Sequence, residues 1–232
     1  MSFLIDGLRE ALARIVALDR ELFEALFTTL RVSILSTALA SIVALPAGFL
    51  VARRKFRGKR IVLALLKTAL AFPTVVVALC VYALIARPAP LGGLGLLFTP
   101  AAIVIGQVVL IAPLLTALVH GVLQAEVMGA YEESILLGAT PSRAFRKTLL
   151  EARVGITTAI MTGFGRVVSE VGISLILGGN IRGFTRTMTT AIALESGRGN
   201  FPEAAALGML LLALVLLLNG AIQLVGDLSE SV

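Results

Sequence analysis

Residues 131–147 read YEESILLGATPSRAFRK, a polar interval in a chain whose flanking segments would dissolve in lipid. Its punctuation predicts two short helices meeting at a fixed bend. Gly138 ends the first by taking a left-handed conformation, Thr140 caps the second, and Pro141 suits the second helix's first position. Ile135, Leu136 and Ala139 share one face at three- and four-residue spacing. Glu132 and Glu133 are expected in the first turn, where the helix dipole favours negative charge. On the second helix Arg143, Arg146 and Lys147 stand beside Phe145 and Leu149. A rigid amphipathic knuckle rising from a membrane protein suits a groove on a partner.

With 58% hydrophobic and 15% charged residues among 232, the chain is too apolar for an ordinary soluble domain. Its mean hydropathy is +0.99. The expectation is an all-α, polytopic protein embedded in a lipid bilayer. A net charge of +6 does not indicate nucleic acid, because the sequence has no basic face interleaved with aromatics and its densest basic cluster abuts an apolar run. Cys80 and His120 are each the sole residue of their type, so neither an internal disulfide nor a metal-ligand cluster can be assembled within one chain.

Outward from the knuckle, five spans are expected at about 32–52, 61–86, 101–123, 153–179 and 204–225, each close to the ~20 residues a membrane helix needs. Residues 1–27 precede them as an N-terminal amphipathic, interfacial segment. In it Leu4, Leu8, Leu12, Ile15 and Val16 lie on one face, and Arg9, Glu10 and Arg14 lie elsewhere. Along the first span Ala40, Ala44, Gly48 and Ala52 recur every four residues, a stripe on which another helix can approach closely. Pro73 offers a kink in the second span, and Pro113 is expected to interrupt the third.

Six of the eight residues at 53–60 are Lys or Arg, which places that loop in the cytoplasm. Counting spans from there puts the loop at 124–152 on the same side, the N-terminus outside, and the tail at 226–232, with Asp227 and Glu230, inside. Arg9, Arg14, Arg20 and Arg31 on the outer side run against the charge rule, but the cluster at 53–60 is denser and closer to a span.

The fourth span is the least lipid-like, with Arg166 and Glu170 near its middle. Charges at that depth face a bundle interior or a watery path. Four residues apart, these two can pair along one face. The pair has two readings: a neutralised contact that fixes packing, or a positive group beside a conduit for an anion. Residues 188–194 are too short to span, so a re-entrant or surface helix at the external mouth is expected there. No GxxxxGK[ST] occurs, nor any nucleophile–base constellation, so the chain reads as a transport subunit and not as an enzyme.

Glu132-Glu133-Ser134, three residues, then Gly138 resembles the "EAA, three residues, Gly" loop of binding-protein-dependent ABC importer permeases. Glu133 and Ser134 replace the two alanines, and the downstream Ile-x-Leu-Pro appears as Thr148-Leu149-Leu150-Glu151; Glu132, Gly138 and Leu150 match. The likeness extends over residues 28–225. The stretches GFGRVVSE at 163–170 and GGNIRGFTRTMTTAIALES at 178–196 are similar to the molybdate, sulfate and tungstate branch.

The resemblance implies the type I ABC importer permease fold in the inner, cytoplasmic membrane. It also implies a homodimer, two cytoplasmic ABC ATPase subunits that use ATP and Mg while this chain binds no cofactor, and an extracytoplasmic oxyanion-binding protein. The cargo implied is tungstate, with molybdate or sulfate as alternatives. Glu132, Glu133, Gly138, Ala139, Pro141 and Arg143 would couple to the ATPase. Arg166, Glu170, Asn180, Arg182 and Arg186 would line the oxyanion's path, since a tetrahedral dianion needs donors and positive charge without a deep trap. A self-contained channel or secondary transporter would instead show its own gradient coupling, often as repeats in matching halves. A scaffold would leave Arg166 and Glu170 without a purpose.

Overall fold

Among the described residues the chain folds into eleven α-helices joined by short turns: α1 (Ser2–Val16), α2 (Arg20–Arg53), α3 (Lys59–Thr68), α4 (Thr74–Ile85), α5 (Pro100–Glu126), α6 (Met128–Leu136), α7 (Pro141–Glu151), α8 (Arg153–Val168), α9 (Gly172–Gly178), α10 (Met188–Gly197) and α11 (Phe201–Glu230). The structure, a computed structural model, describes residues 2–17, 19–126 and 128–230. The side chains of Leu4, Glu10, Asp227 and Glu230, and residues 231–232 of the tail, lie outside that description.

Two helices, over Arg20–Arg53 and Pro100–Gln124, are each long and apolar enough to cross a membrane alone. The bent pair Arg153–Val168 and Gly172–Gly178 makes a third if taken as one span; Thr74–Ile85 and Phe201–Leu217 are shorter apolar helices.

Several boundaries differ from expectation, each for a local reason. The N-terminal helix stops at Val16, and residues 20–27 open α2 instead, because the Asp19 carboxylate accepts the Glu21 N–H at 2.9 Å and caps that helix. Leu8, Leu12 and Val16 are exposed on α1, while Ala11 packs against Ala206 and Leu207 of α11. The segment expected as a second span, 61–86, is broken, not kinked. Phe72 and Pro73 are both extended, at ψ 127° and 114°, because proline bars its predecessor from the helical region and supplies no N–H of its own. Pro113 lies inside an unbroken α5. The segment expected as a fourth span, 153–179, breaks at Ser169–Val171, with a 58° bend between α8 and α9.

The bundle's central seam is α2 against α5. Ala40, Ala44, Gly48 and Ala52 are all buried, as the four-residue stripe requires. At Gly48 a Cβ would stand 2.7 Å from Val119 Cγ1 and 3.2 Å from the His120 backbone nitrogen, so the two helices meet with no room for a methyl group. Ser36 donates to Gln107 Oε1 at 2.6 Å across the seam, and Gln107 Nε2 reaches the Val167 carbonyl at 3.4 Å, tying α2 and α5 to the end of α8.

Overpacking of a close seam costs about 1–3 kcal/mol. Gly48→Ala is therefore expected to lower the thermal unfolding temperature of the purified protein despite alanine's better helix propensity. Gly121→Ala, in α5 and with open space where its Cβ would go, should be neutral or stabilising in the same measurement.

Candidate functional site

Two places gather the chemistry: the knuckle of α6 and α7, and the polar junction where α8 breaks into α9. At the knuckle, Gly138 adopts φ +88° with Gly138 N–H donating to the Ile135 carbonyl at 3.0 Å and Ala139 N–H to the Ser134 carbonyl at 2.9 Å. Those two bonds form a Schellman stop, which needs a left-handed residue at 138. The Thr140 hydroxyl accepts the Arg143 N–H at 3.4 Å, and Pro141 is the first residue of α7. Both helices and the bend follow the sequence reading. Glu132 and Glu133 do not sit in a first turn, however, because α6 begins at Met128 and places them in its second.

Aromatic side chains bolt this knuckle to the bundle. Phe49 of α2 meets Tyr131 edge-on at 5.2 Å between ring centres and Phe145 at 4.5 Å; the Arg53 guanidinium lies over the Tyr131 ring at 5.0 Å. Ala144, Ala152, Ile156, Val119 and Leu123 complete the buried cluster, with Ile135 and Leu149 partly buried on its edge. Leu136 does not join the inward face. It and Leu137 are 86% and 87% exposed at the apex of the bend, and Glu132, Glu133, Pro141 and Arg143 are exposed around them. Ala139 is half-buried beneath. A groove of about 410 Å³ beside the apex is lined by Arg53, Tyr131, Glu132, Ile135 and Leu136.

At the junction, Arg166 Nη1 donates to Glu170 Oε2 at 2.8 Å. The Glu170 side chain is 3% exposed and that of Arg166 35%. The other Glu170 oxygen accepts the Ile173 N–H at 3.3 Å, so one carboxylate both neutralises Arg166 and caps α9. Thr74, first residue of α4, brings its hydroxyl against Gly172, first residue of α9. The start of α4 and the start of α9 therefore meet. Behind them Thr189 donates to the Glu170 carbonyl at 2.8 Å, Thr187 and Thr190 form a capping box on α10, and Thr190 donates to Asn180 Oδ1 at 3.0 Å.

Arg166, Glu170 and Asn180 are thus linked through α10, and Asn180 holds φ +51° in the turn that follows α9. Arg182 stands apart, paired with Glu21 at the start of α2. Arg186 has no carboxylate within ion-pair distance among the described residues, and its Nε is buried without a hydrogen-bond partner. The threonine hydroxyls of 185, 187, 189 and 190 are buried and consumed by internal bonds, which removes them from the donors a passing anion would meet.

Sequence reasoning missed Gln107, although a lone amide inside an apolar run was the signal for it. It also missed a clamp on the rim where α1, α10 and α11 meet. There Glu195 accepts from Arg198 at 2.9 Å and from Asn200 at 3.0 Å, and Glu203 accepts from Asn200 at 3.0 Å and Arg14 at 3.3 Å.

Comparison with known proteins gives concordant matches. Residues 44–229 match the family model described as binding-protein-dependent transport system inner membrane component. A probable anion ABC transporter permease protein of Haloferax volcanii is 40% identical over 196 residues, covering 82% of this chain and 84% of that one. The tungstate uptake system permease protein TupB of Peptoclostridium acidaminophilum is 34% identical over 224 residues, covering 96% and 97%. In fold, the chain is similar to an inward-facing structure of the MetNI methionine ABC transporter, with a TM-score of 0.72 at 21% identity, covering 90% of this chain and 96% of that one.

Because Glu170 performs two tasks, its variants should separate them. Glu170→Ala strips Arg166 of its partner and α9 of its cap, and is expected to destabilise by about 2 kcal/mol. Glu170→Gln keeps an oxygen for the Ile173 N–H and should cost about half as much. Denaturation of both variants in one detergent checks the order; equal losses would mean that the cap contributes nothing.

Proposed function

Because the chain belongs to the binding-protein-dependent transport system inner membrane component family, we propose that it is the permease subunit of an ATP-driven importer that carries an oxyanion, with tungstate the favoured cargo, into the cell by alternating access. The observation that carries this reading is the knuckle: a hinged elbow fixed to α2 by Phe49 that presents Leu136 and Leu137, ringed by charge, to a partner. An apolar apex with a charged surround is the composition of a docking hot spot with its rim.

On this reading two permease copies form a homodimer and two ABC ATPases dock on Glu132, Glu133, Gly138, Ala139, Pro141 and Arg143, with ATP and Mg used by those partners. An extracytoplasmic protein delivers the oxyanion. Five crossings, with α3–α4 and α8–α9 each counted as one broken span, put the N-terminus outside and the C-terminus inside. The path runs past Arg166 and Glu170 towards Asn180, Arg182 and Arg186. Tungstate is favoured because the relative named for tungstate uptake matches nearly the whole chain.

The complex reconstituted with its ATPase and binding protein is expected to accumulate tungstate in vesicles only with ATP, measured as trapped metal. Molybdate and sulfate serve as competing cargo. Uptake that persists without ATP would contradict the proposal. Arg166→Ala, folded, should abolish uptake while leaving the ATPase bound; normal transport would leave Arg166 a packing residue only.

Gly138→Asp, which forces a side chain into a left-handed turn, and Leu137→Asp, which charges the apex, should both release the ATPase on co-purification. Since Leu137 is 87% exposed, its variant should fold normally, so undiminished capture of the ATPase by it would remove the docking assignment.

A further inference from the structure

The loop between α2 and α3 reads RRKFRGKR over residues 53–60. Two of its cations are engaged within the protein. Arg53 lies over Tyr131, and Lys59 Nζ donates to the Ala52 carbonyl at 3.2 Å, at the negative end of the α2 dipole. Arg54, Lys55, Arg57 and Arg60 are exposed, and none has a carboxylate within ion-pair distance among the described residues. Uncompensated like charges this close repel one another and are relieved by an anion from outside the chain.

The surface between them is not purely polar. Lys55, Lys59 and Arg60 rim a groove of about 560 Å³ whose other walls are Phe56, Gly58, Ile61 and Leu63. Phe56 is 43% exposed and Ile61 67%. The amphipathic α3 that continues from the groove buries none of its residues, and the apolar run of α2 ends one residue before the basic stretch begins. Charge alone would serve topology. An exposed phenylalanine and isoleucine beside three cations serve a ligand that is anionic at one end and hydrocarbon at the other.

The geometry points to a binding site for an anionic phospholipid. Its phosphodiester sits between Lys55, Lys59 and Arg60, and the first carbons of an acyl chain lie along Phe56, Ile61 and Leu63. A free oxyanion or phosphate would match the rim but leave the apolar wall uncovered. Such a lipid would hold the first turn of α3 at the bilayer surface and brace the end of α2, next to the Phe49–Tyr131 contact that carries the knuckle. The inference stands apart from the cargo assignment and survives if that fails.

The full-length protein in a neutral detergent, titrated with phosphatidylglycerol or phosphatidylcholine, should retain phosphatidylglycerol in preference when analysed by native mass spectrometry. Each juxtamembrane cation contributes about a five-fold effect on binding to an anionic lipid surface. The double variant Lys55→Gln/Arg60→Gln, which spares Lys59 and its bond to Ala52, should therefore lose at least about ten-fold in retention. Phe56→Ser keeps every charge and should still lower retention about three-fold. Equal retention of the two lipids, or unchanged retention in Phe56→Ser, would overturn the proposal. Displacement of the lipid by millimolar inorganic phosphate would overturn it too, and would make the groove a free-anion pocket. If the double variant does not fold, Phe56→Ser and the phosphate competition decide the matter.

Discussion

Helices already dissolved in lipid gain no hydrophobic energy by touching one another, so they associate through close packing and hydrogen bonds. In this chain both are concentrated at the seam of α2 and α5. Ala40, Ala44, Gly48 and Ala52 let the backbones approach, Val119 fills the space that a larger residue at 48 would need, and Ser36 with Gln107 supplies the polar tie. The seam also sets where the knuckle goes. Phe49 lies next to Gly48 on the same helix, and its ring is the contact through which α6 and α7 are held. The position of the knuckle is therefore tied to that of α2.

The second constraint is electrostatic. A buried carboxylate survives in a bundle only when it is neutralised and its oxygens are hydrogen-bonded. Glu170 meets both conditions by lying between α8 and α9, accepting the N–H of Ile173, the second residue of α9, and pairing backwards with Arg166. The break in the span and the tolerance of the charge are thus one arrangement. The break of α3–α4 at Phe72–Pro73 arises differently, from proline, yet it arrives at the same place, with Thr74 against Gly172. The two discontinuities are thus in contact within the bundle.

Much of this was legible from residues alone. Gly138, Thr140 and Pro141 dictate the knuckle because stop, cap and start signals act within one turn. The small-residue stripe and the pairing of Arg166 with Glu170 follow from helical spacing. Less legible was anything that depends on a partner distant in sequence. Residues 61–86 and 153–179 each carry enough apolar residues for one helix, and hydropathy does not register that Phe72 precedes a proline or that Glu170 caps the next helix. Nothing in residue type shows that the hydroxyls of Thr185, Thr187, Thr189 and Thr190 are consumed by the turn after α9 and the start of α10. Arg182 looked available until the fold brought Glu21 to it, and the exposure of Leu136 follows from where Phe49 grips α6.

If the elbow at Leu136–Leu137 is a cytoplasmic handle that an ATPase grips, a single cysteine at 137, introduced in a Cys80→Ser background, will report it to a membrane-impermeant maleimide. The expected result is no labelling in intact cells, full labelling in inverted membrane vesicles, and protection there once the ATPase is bound. Labelling from outside intact cells, or labelling in vesicles that the ATPase does not diminish, would rule such a handle out.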